Sequence, residues 1–144
     1  MRKIIVNLQG KAYSVSENAL MIDYGEPVTI DPTRITAWIN TSNRWTSASD
    51  SYSVAVPVTS GKTYVLEFST TDSSITGTIF RYGFTNVKTP GSSGVLLSNC
   101  VRTSPQDSPK VSIVANNVYL IIQLGSSVAE GLINNGYFTI TEFD

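Results

Sequence analysis

Short runs of alternating apolar and polar residues, separated by turn-forming residues, constrain the fold of this 144-residue chain more than any other feature. The clearest example is YVLEF at positions 64–68, in which a large apolar residue recurs at every second position. YSVAV at positions 52–56 alternates in the same way, and a period of two is that of a strand with one buried face. Pro57 lacks the amide hydrogen that would continue a ladder, and Gly61 supplies permissive backbone for a turn. This stretch is therefore predicted to form a strand, a corner and a second strand.

Eight runs of this kind occur after position 34. They are Ile35–Ile39, Tyr52–Val56, Thr63–Ser69, Ile75–Tyr82, Val95–Leu97, Val111–Ala115, Val118–Leu124 and Tyr137–Phe143. Gly, Pro, Asn and Ser cluster in the segments between them, as is typical of turns. Eight short antiparallel strands pack best as two sheets face to face, joined by Greek-key crossings as well as tight hairpins. We therefore predict an all-β, antiparallel two-sheet β-sandwich with jelly-roll topology.

The first 30 residues alternate only weakly and are set apart from these runs. Segment 16–21 is the only place where a helical turn is plausible, with Ser16 as its cap. We expect residues 1–30 to form an N-terminal arm, laid on the main body or projecting from it. Residues 31–144 are then expected to form the jelly-roll sandwich domain.

Low charge restricts the partners of the chain. Charged residues make up 15% of the sequence, against about 25% in typical soluble domains, and the 10 basic and 11 acidic residues nearly cancel. Because no broad basic field is present to neutralise phosphates, nucleic acid is not an expected partner. The sequence also lacks the apolar stretch of a secretory signal and any run of roughly 18 apolar residues. We therefore expect a soluble protein that is made in a cytoplasm and does not insert into a membrane.

The sequence contains no histidine, which removes most templates for catalysis. Ser-His-Asp and Cys-His nucleophile arrangements and the commonest zinc ligand are all excluded. Ser60 and Lys62 remain as a conceivable Ser-Lys pair, and Glu67 with another acid as a conceivable glycosidase pair. Glu67 is the only acid inside a strong central strand, and Glu142 lies near the chain end. The Ser-Lys pair is unfavourable because turn residues of this kind are usually solvated. The glycosidase pair is unfavourable because the acids are scattered along the sequence. We predict that the protein is not an enzyme and uses no cofactor.

Neither a metal site nor a disulfide is expected. Asp50, Asp72 and Asp107 lie in separate loop segments, whereas a calcium ion needs about six oxygens gathered closely. Cys100 is the single cysteine and lies in the apolar run VLLSNCV. It is predicted to be a small buried core residue, because free cysteine most often has that role.

Two sequence elements carry a resemblance to a known class of domain. A Trp-containing polar segment, TSNRWTSASD at positions 41–50, precedes the YSVAVPV run, and VPVTSGKTY occupies positions 56–64. Over roughly residues 35–144 this pattern resembles jelly-roll domains of bacteriophage tail, baseplate and capsid-surface proteins, which are similar in fold to galactose-binding-like and carbohydrate-binding modules. The most recognisable element, positions 56–64, is a structural corner rather than a site.

The resemblance implies a non-catalytic component of a virion, assembled in the host cytoplasm, that decorates the particle or contacts the host surface. Its partners would be other virion structural proteins, copies of itself with a trimer favoured, and, on the host, a glycan. The arm, residues 1–30, would be the natural attachment segment. Low charge agrees with a surface that packs against copies of itself, because charged residues are depleted at interface cores.

Two tryptophans lie close together in the sequence and are assigned different roles. Trp45 follows Arg44 in the polar segment, where an exposed indole would stack on a sugar or fill a pocket in a protein neighbour. The alternative is that Trp45 folds back over the sandwich edge as a lid on the core, since tryptophan is highly buried on average. Trp38, in the run TAWI, is predicted to be a packing residue.

Arg81 and Tyr82 are the other candidates for ligand binding, because arginine beside aromatic residues recurs at protein interfaces and glycan sites. Alternation places the three aromatic residues of segment 80–84 on one face, which is equally consistent with a core. The leading hypothesis is a virion interaction protein. The alternative is a carbohydrate-binding module in which Trp45 and either Arg44 or Tyr82 form the sugar platform.

Overall fold

Ten strands and one short helix make up the part of the chain that the computed structural model describes, residues 24–33, 35–69, 80–105, 107–125 and 128–144. The strands are β1 (Glu26–Val28), β2 (Ile35–Ile39), β3 (Arg44–Pro57), β4 (Thr63–Phe68), β5 (Phe80–Thr85), β6 (Val95–Leu96), β7 (Ser98–Thr103), β8 (Lys110–Val114), β9 (Tyr119–Gly125) and β10 (Phe138–Phe143). The helix, α1, spans Val128–Asn134. Within these ranges no helix is long and apolar enough to cross a membrane.

The strands form two antiparallel sheets that pack face to face. The smaller sheet has the order β1-β10-β4-β8, and the larger has the order β2-β3-β9-β5-β7, with β6 paired to β3. The prediction of an all-β, antiparallel two-sheet sandwich is therefore confirmed. Its jelly-roll topology stays a prediction.

Aromatic side chains fill the core between the sheets. The predicted alternation in β4 is confirmed, because its even-numbered positions, 64, 66 and 68, are buried and the odd-numbered ones are not. The Phe68 ring lies 4.8 Å from the Phe138 ring of its own sheet and 5.0 Å from the Phe80 ring of the other sheet, measured between centroids. All three aromatic residues of segment 80–84 are buried in this cluster. The shared face of that segment is therefore core, one of the two alternatives that its alternation leaves open.

Strand β3 is longer than predicted and changes partners along its length. Residues 52–57 pair with β9, whereas residues 45–47 pair with the end of β2. The register between β2 and β3 shifts abruptly, since Thr36 lies opposite Tyr52 and Ala37 lies opposite Ser47. An irregularity of this kind bends a strand and lets it leave its sheet. Segment 41–50 lies outside the eight strands predicted from the sequence, and this prediction is wrong, because most of the segment belongs to β3.

The bent part of β3 covers the outward face of the larger sheet. We call residues 37–39 of β2, residues 44–47 of β3 and strand β6 the flap. Beneath it lies a second hydrophobic cluster, which consists of Ala37, Ile39, Trp45, Leu97 and Ile121. In β9 the neighbours of Ile121, at positions 120 and 122, face the other sheet instead. The larger sheet therefore buries apolar residues on both of its faces.

Two polar side chains fasten the flap to the sheet below it. The Ile39 amide donates to Oε1 of Gln123 at 2.6 Å, and Nη1 of Arg81 donates to the Ile39 carbonyl at 2.7 Å. Arg81 and Gln123 lie directly opposite each other on β5 and β9. Because both backbone groups of one residue are satisfied in this way, no polar backbone atom of Ile39 is left unpaired in an apolar layer.

A close approach at Gly83 seats the neighbouring segment. A Cβ at this position would lie 2.8 Å from the Cβ of Leu97, so a larger residue would displace the leucine from the second cluster. The Leu97 amide donates to the carbonyl of Asn43 at 2.9 Å, which ties this segment to the turn of the flap. The absence of a side chain at Gly83 therefore lets Leu97 pack directly against the backbone of β5.

Three further predictions differ from the structure or fall outside it. The described helix is α1 at residues 128–134, a segment without a predicted helix, while the predicted helical turn at 16–21 lies outside the described residues. The predicted strand at 75–82 is described only from Phe80 onward. Within the predicted arm, Glu26–Val28 pairs with β10 as an edge strand of the smaller sheet. Residues 1–23 of the arm lie outside the described ranges.

Candidate functional site

The turn between β2 and β3 determines which side chains of the flap face solvent. Residues 41–43 form a three-residue turn in which Oδ1 of Asn40 accepts from the amides of Ser42 at 2.9 Å and Arg44 at 3.0 Å. Asn43 adopts a φ of 60°, a conformation that asparagine tolerates better than most residues. Three-residue turns ending in this conformation are common in hairpins. The turn places Ile39 opposite Trp45.

One face of the flap is exposed and carries an aromatic, a cationic and an aliphatic side chain. Trp38 lies opposite Thr46, and Arg44 lies opposite Leu96 on β6. Opposite residues of paired strands point to the same side, and this side is turned away from the larger sheet. Trp38 is 39% exposed and Leu96 is 61% exposed. We call these four residues the outer face of the flap.

The structure decides between the two roles considered for Trp45 and corrects the role predicted for Trp38. Trp45 is fully buried, at 0% exposure, and its Nε1 donates to Oγ of Ser53 at 2.9 Å. The interpretation of Trp45 as an exposed stacking residue is therefore wrong, and its alternative of a covering residue agrees with the structure. The prediction that Trp38 packs in the core is also wrong, because its side chain points away from the layer that Ile39 enters.

The four ligand-binding candidates do not form one site. Arg44 lies on the outer face of the flap, where its Nη1 donates to the carbonyl of Gly94 at 3.3 Å. Trp45 and Arg81 lie under the flap, and Tyr82 lies between the two sheets with 3% exposure. Burial raises the pKa of the Tyr82 hydroxyl, which agrees with a core position. A sugar platform made of Trp45 and Tyr82 is therefore excluded by their burial.

A small groove lies where the turn of the flap meets strands β5 and β7. It has a volume of about 230 Å³ and is lined by Thr41, Asn43, Arg81, Cys100, Val101 and Arg102. Arg81 and Arg102 are directly opposite each other on the two strands. We call this the arginine groove. Of its residues only Arg81 was a candidate from the sequence, because the pairing that brings Arg102 beside it joins distant parts of the chain.

Cys100 lines the arginine groove but is not a reactive thiol. It is predicted to be a small buried core residue, and in the structure it is partly buried and packs against the second hydrophobic cluster. Burial raises the pKa of its thiol more than the nearby Arg81 lowers it. The thiol therefore stays protonated at neutral pH, and thiolate is the nucleophilic form. Cys100 acts here as a small apolar residue.

Lys62 cannot serve as the general base of a Ser60–Lys62 pair, because it is held in ion pairs. Nζ of Lys62 forms ion pairs with Oε1 of Glu142 at 2.8 Å and Oδ1 of Asp144 at 3.1 Å, and these contacts raise the lysine pKa. A general base must be deprotonated near neutral pH. The Lys62 contact, together with a hydrogen bond donated by the Tyr64 hydroxyl at 2.7 Å, lowers the pKa of Glu142. These groups tie β10 to the start of β4.

Glu67, the acid considered for glycoside hydrolysis, and Glu142 lie on different faces of the smaller sheet. Glu142 on β10 is opposite Tyr64 on β4, so these two side chains lie on the same face. Glu67 lies on β4 three residues after Tyr64 and therefore faces the other way. Successive side chains of a strand alternate between faces, so these carboxyls do not face each other across a substrate. Among the described residues, no group of three or more Cys, Asp or Glu side chains is placed to hold a metal ion.

Comparison with known proteins assigns no family to this arrangement. A scan against protein-family models, a search of curated proteins and a search of solved structures each found no match. Function is therefore inferred from the flap and the groove.

Proposed function

We propose that the protein is a non-catalytic interaction domain of a bacteriophage particle, as a capsid-decoration, head-fibre or tail-associated component. It binds a neighbouring protein of the particle through the outer face of the flap. The observation that carries this proposal is the exposure of Trp38 beside Arg44 and Leu96 on one surface.

The composition of this surface supports a protein partner. Tryptophan and arginine are the residues most enriched among the few that dominate binding energy at protein interfaces. Burying an exposed indole and an isobutyl group removes apolar area from water, at about 25 cal/mol per Å². The charged head of Arg44 adds a directional donor at the rim.

The buried side of the flap holds its outer face in place, which favours binding without a large entropic cost. Trp45 and Ile39, on the opposite side of the flap, are both fully buried, and the Ile39 backbone is held by side chains of two strands. A surface that is already ordered loses little conformational freedom when it binds. The flap is therefore suited to present Trp38 in one orientation.

The setting in a virion is supported by the resemblance of residues 35–144 to phage jelly-roll domains and by the two-sheet sandwich. In this setting, the part of the predicted arm that precedes β1 adds a second contact with the particle beside the one made by the flap, and copies assemble as a trimer. Neighbouring genes for capsid and tail proteins would agree with the proposal.

Replacing Trp38 with alanine should reduce incorporation of the protein into particles of the phage that encodes it. Loss of an interface tryptophan of this kind costs about 2 kcal/mol or more, which corresponds to roughly 30-fold in affinity. The measurement is an immunoblot of purified particles produced with wild-type or variant protein. Tyr137→Ala is the matched control, because Tyr137 is also an exposed aromatic residue, at 43%, but lies before β10 in the other sheet. Absence of the wild-type protein from particles, or equal incorporation of Trp38→Ala and wild type, would contradict the proposal.

A carbohydrate-binding module is the second candidate, and the exposed indole of Trp38 favours it too. Its sugar platform would consist of Trp38 and Arg44, since Trp45 and Tyr82 are buried. A glycan array separates the two candidates. Binding of wild-type protein that is lost in Trp38→Ala, with incorporation unchanged, would favour the carbohydrate function.

A further inference from the structure

The arginine groove holds two guanidinium groups, and the hydrogen bond to the flap gives a structural role to only one of them. Arg81 and Arg102 occupy directly opposite positions on β5 and β7, where Cβ atoms are about 4.5–5.5 Å apart. Like charges at such positions destabilise a sheet. The contact of Arg81 with Ile39 accounts for one of the two arginines.

No acidic side chain in the described ranges compensates this pair. The ion pairs found there join Lys62 to Glu142 and Asp144, and neither arginine takes part in one. The other residues that line the groove, Thr41, Asn43, Cys100 and Val101, carry no carboxylate. The groove is therefore a concentrated positive site on a protein whose net charge is −1.

The side chains that line the groove offer the kind of donors that bind an oxyanion. One guanidinium has five N–H donors, and the bond from Arg81 to the Ile39 carbonyl holds that side chain in place while using one of its nitrogens. Arg102 is exposed beside it. Two guanidinium groups match the paired oxygens of a carboxylate or phosphate better than any other side chains do. Thr41 and Asn43 add a hydroxyl and an amide at the rim.

The size of the groove limits what else the ligand carries. Its volume of about 230 Å³ is below the roughly 300–1,000 Å³ of pockets that enclose a drug-sized molecule. The groove accommodates one charged group and a few attached atoms. Cys100 lies two residues from Arg102 on β7 and so on the same face, where it provides an apolar wall beside the arginines.

We propose that the arginine groove binds the carboxylate or phosphate group of a small ligand, with Arg81 and Arg102 as its two cationic partners. This goes beyond the proposed function, because the groove lies under the turn and is separate from the outer face that carries Trp38.

Arg102→Gln is the variant that tests the groove, because Arg81 also holds the flap and its replacement would disturb folding. Resonances of the arginine Nε–H groups are followed by NMR while sodium phosphate or sodium glucuronate is added at constant ionic strength, with glucose as the neutral control. Wild-type protein should show saturable shifts at both Arg81 and Arg102. Arg102→Gln should weaken the affinity by about 10–100-fold, since a charge-assisted hydrogen bond contributes about 1.5–3 kcal/mol. Lys110→Gln, which removes an exposed positive charge from β8 of the smaller sheet, should bind as wild type does.

The two anions distinguish the source of the charged group. Saturation by phosphate alone assigns a phosphoryl ligand, and saturation by glucuronate alone assigns an acidic sugar or another carboxylate. Thermal unfolding without added anion gives a second measurement: Arg102→Gln should be at least as stable as wild type, because one of two facing charges is removed. Absence of saturable shifts with both anions, or equal weakening by Arg102→Gln and Lys110→Gln, would overturn the proposal. Neither result would bear on incorporation into particles, which depends on Trp38.

Discussion

Replacing Trp45 with alanine should lower the free energy of unfolding by about 3–5 kcal/mol, the usual cost of removing a large aromatic side chain from a core. Trp45 is fully buried, and it covers the second hydrophobic cluster together with Ile39 and Ile121. The variant also leaves Oγ of Ser53, a residue with 0% exposure, without its indole donor. Urea denaturation followed by circular dichroism measures the change in midpoint and slope.

Trp38→Ala is the matched control for this substitution, because it removes the same side chain from the opposite face of the same hairpin. Its cost should be at most about 1 kcal/mol, as is usual for residues away from a packed core. A loss for Trp38→Ala that equals or exceeds the loss for Trp45→Ala would mean that the flap presents its faces the other way round.

Replacing Phe138 with alanine should cost about 3–5 kcal/mol as well, but for a different reason. Phe138 is 1% exposed and its ring lies 4.8 Å from that of Phe68, which in turn contacts Phe80 of the other sheet. Removing it opens a cavity at the contact between the two sheets and breaks an aromatic pair. Thermal and urea denaturation should both register the loss, without a change of far-ultraviolet circular dichroism at low temperature.

The adjacent residue provides the control for Phe138. Tyr137 is 43% exposed, so Tyr137→Ala should change the free energy of unfolding by roughly 0.5 kcal/mol or less. If both alanine variants lost similar stability, the contact that joins the sheets would have to lie elsewhere.

Local sequence patterns predicted the sandwich core well. In β4 the period of two is uninterrupted. The turn before it was predicted from Gly61, whose φ is 93°, because glycine tolerates this conformation. Strands β2, β8 and β10 were predicted within two residues of their ends for the same reason. Each of these features depends on neighbouring residues alone.

The flap depends on pairing between distant residues. Its polar composition gives no sign of strands in the sequence. Segment 41–50 is rich in Ser and Thr, which is typical of a connector, yet pairing with both β2 and β6 makes most of it strand. One signal was present in the sequence. A three-residue turn at 41–43 places Ile39 opposite Trp45, so the two residues share a face, and the aliphatic partner indicates that this face is buried.

Helix α1 was missed because it owes little to helix propensity. Its seven residues include Gly131 in the middle, and an isolated helix of this length is not stable in water. Leu132 is 2% exposed and Ile133 packs against the same core. Tertiary packing of this apolar pair, rather than a sequence period, accounts for the helix.

The arginine groove was equally inaccessible to sequence reasoning. In the sequence, Arg81 and Arg102 are separated by the segment that follows β5 and by strand β6, and each looks like an ordinary solvated cation. Only the antiparallel pairing of β5 with β7 makes them neighbours. A shift of that pairing by one residue would place the two side chains on opposite faces.

The two tryptophans of the sequence allow a direct test of how the flap is oriented, on which the binding surface depends. Fluorescence quenching by acrylamide and iodide is measured on Trp38→Phe, which retains Trp45 alone, and on Trp45→Phe, which retains Trp38 alone. A blue-shifted emission that resists both quenchers is expected from Trp45, and a red-shifted, readily quenched emission is expected from Trp38. Ready quenching of Trp45 together with a shielded Trp38 would contradict the account.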